Sequence, residues 1–137
     1  MKRPFKRLTL TLAALLLAAP VYALDPLPQE KFINDSLRAG RVGDVIRKTC
    51  PSISARMFVV WQKLEDLKAY ALDQGYTADE VEAFIKNDDE KTRLKAEAAA
   101  YLKAAGAVEG DAESYCKVGR DEIAKGSAIG ELLRSSQ

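Results

Sequence analysis

From Glu30 to Thr49 the apolar residues Phe32, Ile33, Leu37, Val42, Val45 and Ile46 recur near helical spacing, which predicts a first helix. Gly40 and Gly43 interrupt it. Each costs up to about 1 kcal/mol in a helix interior, so a kink, a break or a close helix contact is expected between Ala39 and Asp44. Pro51 disfavours a helical conformation at Cys50 and sets a boundary there. Ser52 or Ser54 can cap a second helix running to about Gln74. Along it Ile53, Met57, Val60, Trp61, Leu64, Leu67 and Ala71 fall on one stripe, which Phe58 and Val59 widen. So broad an apolar arc predicts the most buried helix of the domain. If Trp61 is core, its truncation to alanine costs about 3 to 5 kcal/mol.

Gly75 is placed to end this helix in a left-handed cap. Thr77-Ala78-Asp79-Glu80 is a capping box opening a short helix with Val81, Phe84 and Ile85. Asn87 or Asp88 caps a fourth, alanine-rich helix from about Asp89 to Ala104, whose inward face is Leu94, Ala98, Tyr101, Leu102 and Ala105. Asp111 caps a fifth, in which Tyr115, Cys116, Gly119 and Ile123 share a face, and Gly126 ends it. The tail, with Ile129, Leu132 and Leu133, has room for another turn or two. No segment alternates with period two for long enough to predict a sheet. The expectation is an all-α fold, a single compact domain of about five helices over residues 30–137. Before it, residues 24–29 hold two prolines in six positions and read as an extended leader.

Residues 1–23 have the three parts of an export signal: Lys2, Arg3, Lys6 and Arg7, an apolar stretch from Leu8 to Ala19, and the small-x-small site Val21-Tyr22-Ala23. Cleavage after Ala23 is expected, because an apolar run of 12 residues falls short of the roughly 20 that span a bilayer. That predicts a periplasmic or secreted protein with no stable membrane insertion of the mature chain. In an oxidising compartment an even cysteine count reads as one structural bridge, Cys50 to Cys116. The alternative, a pair of free reactive thiols, lacks a Cys-x-x-Cys arrangement. Four of the 21 Lys plus Arg lie in the signal, leaving 17 against 20 Asp plus Glu, a formal charge of about −3. Without a basic cluster no nucleic-acid partner is expected.

The chain has no histidine. This removes the commonest general base, the usual metal ligand, Ser-His and Cys-His nucleophiles, and haem attachment through Cys-x-x-Cys-His. Catalytic, metal and cofactor-binding residues are accordingly predicted to be none. Asp79, Glu80, Glu82, Asp88, Asp89 and Glu90 cluster, but the calcium-loop pattern fails, and acidic residues in first helical turns are explained by the helix dipole. Ser114-Tyr115-Cys116-Lys117 matches Ser-x-x-Lys without the companion motifs of that chemistry. Phe58, Trp61, Tyr70, Phe84, Tyr101 and Tyr115 read as core before they read as a cavity lining. Arg41, Arg47, Lys48 and Arg56 form a modest basic region around Cys50, read as a solvated face ahead of an anion or partner site.

The segments Cys50-Pro-Ser-Ile-Ser-Ala-Arg56, Trp61, Leu72-Asp-Gln-Gly-Tyr-Thr77, Gly106-Ala-Val-Glu-Gly-Asp111 and Ser114-Tyr-Cys116 resemble small exported bacterial proteins grouped as a domain of unknown function. The resemblance spans nearly all of the mature chain and implies export and paired cysteines, with no activity to carry over. A looser likeness, at the level of fold, is to small all-helical periplasmic acid-stress chaperones that carry one disulfide. The functional expectation is a non-catalytic helical protein that binds another protein or a small ligand, in the manner of a chaperone, inhibitor or accessory factor. Two alternatives stand beside it: an accessory subunit of an envelope complex held by an uncleaved N-terminal helix, and a small enzyme using carboxylate or lysine chemistry.

Overall fold

The computed structural model describes residues 22–136, so the segment read as an export signal lies outside the described residues apart from Tyr22 and Ala23. Five α-helices and one short sheet follow in the order α1 (Lys31–Thr49), β1 (Ile53–Ala55), α2 (Met57–Gln74), α3 (Ala78–Lys86), α4 (Asp88–Ala104), α5 (Ala112–Lys125) and β2 (Leu133–Ser135). The all-helical reading holds, with one addition. β1 and β2 pair antiparallel, Ser54 opposite Arg134, where no sheet was expected. Strands of three residues, about 80 positions apart, are too short to show an alternation.

The leader is not simply extended. Leu27–Gln29 forms a 3-10 turn that buries Leu27, and the Tyr76 hydroxyl donates to the Asp25 carbonyl at 2.6 Å. Its prolines keep it out of an α-helix without keeping it off the core.

The central element is α1. The Glu30 side chain caps it by accepting from the Ile33 amide at 2.6 Å, and it runs unbroken through both glycines. Val42 and Ile46 are fully buried, in a core completed by Ile53, Ala98, Leu102, Val118, Ile129 and Leu133. The break expected near the glycines is not made, and no close helix contact requires Gly43: a Cβ there would lie at an ordinary 3.7 Å from the Leu133 side chain of β2. A second core joins the leader to the ends of α2 and α3 through Leu27, Ile33, Ala71, Tyr76 and Phe84.

Capping follows the local code at α3, α4 and α5, but neither Ser52 nor Ser54 caps the second helix, which starts after Arg56 with no side-chain cap because β1 takes up Ile53–Ala55. Thr77 and Glu80 exchange the paired bonds of a capping box, Asn87 caps α4 and Asp111 caps α5. Gly75 and Gly126 close α2 and α5 at φ of 107° and 61°, in the left-handed region that favours glycine.

Two expectations about packing are corrected. The second helix is not the most buried: α2 buries only Ala71, while Met57, Phe58 and Trp61 are 65%, 73% and 59% exposed. A wide apolar stripe states what a helix can bury, whereas the neighbours available decide what it does bury. In α4 the inward face holds at Ala98 and Leu102, but Ala105 is exposed and the buried residue is Ala107, because the helix ends at Ala104 and the chain turns.

Candidate functional site

Cys50 and Cys116 are joined, 66 positions apart in sequence with their Cα atoms 5.0 Å apart. Both are buried. The bridge ties the end of α1, where Cys50 is the extended C-cap, to α5; it does not start the second helix, because the turn at Pro51 and β1 intervene. Gly119 lies one turn beyond Cys116, and a Cβ on it would sit 2.4 Å from Ile53 Cδ1, so β1 packs directly on the backbone of α5.

Other residues singled out by the sequence are spread apart. Asp79 and Glu80 occupy the first turn of α3, and Asp88, Asp89 and Glu90 that of α4. Among the described residues no group of three or more acidic or cysteine side chains could hold a metal ion. Ser114 is engaged with the Asp111 carbonyl at 2.7 Å and Lys117 with Asp121 at 2.8 Å, so the Ser-x-x-Lys pair forms no catalytic contact. Phe84 is core, and Tyr70 packs on Phe32 with ring centroids 4.5 Å apart.

The basic region divides. Asp44 accepts from Arg47 at 2.6 Å and Lys48 at 2.7 Å, with Arg41 at 3.5 Å. Burial works against its ionised form, yet Lys48 and Arg47 hold its pKa below the usual carboxylate value. Arg56 turns away and donates to the Glu131 carbonyl at 3.2 Å.

One buried acid escaped the sequence reading. Glu122, 2% exposed, accepts from the Tyr101 hydroxyl at 2.7 Å and from the Ser127 hydroxyl. Burial raises its pKa, but these two bonds and the nearby Lys125 leave it lowered overall. The Tyr101 hydroxyl is pushed up to about 12, first by its bond to Glu122 and then by burial. The pair joins α4 to the end of α5 and lines none of the clefts described below. Its only sequence signal was the place of Glu122 three residues after Gly119, on the inward side of α5.

What the fold does create is a groove. The start of α2 is tied to the C-terminal segment, where the Arg56 amide bonds the Leu132 carbonyl at 2.8 Å and Lys63 pairs with Glu131 at 2.9 Å. Its other end is held by the second core. Between these anchors α2, α1 and α4 enclose a trough of about 600 Å³, floored by Leu37, Val60, Leu64, Leu67 and Leu94. Gly40 opens its wall: a Cβ there would meet nothing within 4 Å. The trough shares Leu37, Leu64 and Leu67 with a narrow cleft, which shares Val81 and Ile85 with a groove of about 290 Å³ between α2 and α3.

Four cations edge the trough: Arg41, Lys63, Lys91 and Lys95. Lys63 and Lys91 are paired, with Glu131 and Asp88. Lys95 forms no ion pair among the described residues, and the buried Nε of Arg41 has no hydrogen-bond acceptor among them. No helix among the described residues is long and apolar enough to cross a membrane.

The family of unknown function DUF5333 matches residues 25–134, from the leader through β2. The chain belongs to this family. No curated protein and no solved structure matches it. The matched span takes in the disulfide, both cores and every residue of the trough, so this DUF5333 domain carries its groove within the part the family defines.

Proposed function

We propose that this DUF5333 protein is an exported, non-catalytic binding protein whose site is the trough between α1, α2 and α4. One observation carries the reading: α2 holds an apolar arc half-turned from the core, beside an open apolar trough of about 600 Å³. That volume lies within the range of sites that take small ligands or the anchoring side chains of a partner. Exposed apolar side chains grouped in this way, rimmed by charge, mark interaction surfaces more often than bare solvent contact. Export is supported by the composition of residues 1–23 and by the buried disulfide.

Trp61, the only tryptophan of the chain, follows the trough residue Val60 on α2 and serves as an energy donor for a dye bound there. Titration with the neutral apolar dye N-phenyl-1-naphthylamine should give saturable binding with energy transfer from Trp61. Gly40→Leu should abolish it with the fold intact, because the new side chain enters the trough where a Cβ meets nothing. Absence of dye binding, or equal binding by Gly40→Leu, would sink the assignment of the site. N-terminal sequencing of protein recovered from the envelope fraction tests export: a start at Leu24 supports it, and an intact Met1 contradicts it.

A further inference from the structure

Resting on that reading of the trough, we propose its ligand class: a single-chain amphiphile with an anionic head, specifically a monomeric long-chain carboxylate. The alkyl chain lies along α2 over Val60, Leu64 and Leu67, and the carboxylate meets Arg41 and Lys95.

Three features select this occupant. The floor is aliphatic, with Leu37, Leu64, Leu67 and Leu94 lining a trough that shares three of these leucines with the narrow cleft leading toward α3. Apart from the charged residues its polar lining is two hydroxyls, Ser36 and Thr92, too few to serve the amides of a peptide, which suits a hydrocarbon chain better. The charge is placed at one border. Arg41 and Lys95 line both the trough and a second depression of about 720 Å³ on the far side, so they stand on the ridge between the two. An anionic head there keeps contact with water while its chain is covered.

The cations are also available. Arg41 retains a buried Nε without an acceptor, and Lys95 has no ionic partner among the described residues. Asp44 also lines the trough and opposes an incoming carboxylate; its closest partners are Arg47 at 2.6 Å and Lys48 at 2.7 Å, with Arg41 farther off at 3.5 Å, so a carboxylate head competes with Asp44 only for its longest ion pair. A carboxylate supplies acceptor oxygens to an arginine fork and a lysine together, a charge-assisted arrangement stronger than neutral bonds.

The test is titration of the purified protein with palmitate below its micelle concentration, followed by Trp61 fluorescence and calorimetry. Saturable one-to-one binding is expected, strengthening by about tenfold for every two methylenes from laurate to palmitate. Hexadecyltrimethylammonium, with the same chain and the opposite charge, should bind at least about tenfold more weakly. Arg41→Gln with Lys95→Gln should weaken palmitate by about tenfold and leave N-phenyl-1-naphthylamine unchanged, which separates loss of head recognition from loss of fold. Equal binding of the cationic amphiphile, retention of palmitate by the double variant, or binding to phosphatidylglycerol vesicles without binding to monomeric palmitate would each overturn the proposal. If the neutral dye binds and palmitate does not, the ligand class is wrong and the trough remains a site. If neither binds, the reading of the trough itself has failed.

Discussion

Three glycines in three settings separate close packing from backbone preference in one experiment. Gly40 and Gly119 lie inside helices, and Gly130 lies in the 3-10 turn before β2. Replacement by alanine restricts the unfolded chain similarly at each site, a gain of about 0.4 to 1 kcal/mol, so the differences report the native surroundings. At Gly40 a Cβ meets nothing within 4 Å, and Gly40→Ala should stabilise by about 1 kcal/mol. At Gly119 it would lie 2.4 Å from Ile53 Cδ1 and 2.8 Å from Ile46 Cγ2. Ile53 Cδ1 is a side-chain end that can turn, but Ile46 Cγ2 sits on the β-carbon of a fully buried, β-branched helix residue, so the net loss should be about 2 kcal/mol. At Gly130 it would lie 2.0 Å from the Glu122 carbonyl oxygen, which cannot rotate away. The last turn of α5 would have to shift, and with it the bonds from Ser127 to Glu122, so a loss above about 3 kcal/mol is expected. In urea, with a slope of about 1.5 kcal/mol per molar, the midpoint should rise about 0.5 M for Gly40→Ala and fall about 2 M for Gly130→Ala. Gly40→Ala no better than Gly119→Ala, or Gly130→Ala near neutral, would refute the packing described around α1 and α5.

Replacing Cys50 and Cys116 by alanine opens a loop whose ends are 66 positions apart and should cost about 4 kcal/mol by chain entropy, read as a fall in the urea midpoint that reductant reproduces in the parent. Trp61→Ala should cost only about 1 kcal/mol, because 59% of the residue is already in water; emission at long wavelength and ready quenching by acrylamide check the exposure, and a loss near 4 kcal/mol would contradict it. Glu122 is held below its ordinary value of 4.5, so its contribution is complete above that pH and lost as pH falls through the lower folded value; Glu122→Gln should flatten the acid limb of a stability profile. Tyr101, raised from 10.0 to about 12, contributes fully below pH 10 and loses that contribution as pH climbs toward 12; a late tyrosinate absorbance step, absent in Tyr101→Phe, tests this.

What could be read from the sequence was local. Thr77 and Glu80, Asn87, Asp111, Gly75 and Gly126 act on backbone groups only a few residues away, so their caps are written in adjacent positions. The pairing of the two cysteines followed from chemistry and not from distance. Legibility ended where partners are remote. The β1–β2 pair joins segments about 80 positions apart, and Glu122 is buried only because Tyr101 and Ser127 bring hydroxyls to it. The trough was invisible for the same reason: its walls come from α1, α2 and α4, and neither the broad arc of α2 nor the glycines of α1 say which helices stand opposite them.

The error about α2 and the meaning of the trough are one fact seen twice. Gly40 and Gly43 lie one turn apart on α1, and each takes a side chain's thickness off the helix. At Gly43 a Cβ would meet the Leu133 side chain of β2 at 3.7 Å, an ordinary van der Waals distance. At Gly40 nothing fills the space, and the neighbouring α2 stands over the gap with its apolar arc only part covered. A helix-interior glycine sacrifices up to about 1 kcal/mol against alanine, and at position 43 an added Cβ would gain a contact with Leu133. At position 40 no contact within the fold offsets that loss. On the proposed function an occupant of the trough would use that gap, so Gly40→Ala is expected to gain stability and Gly40→Leu to lose binding.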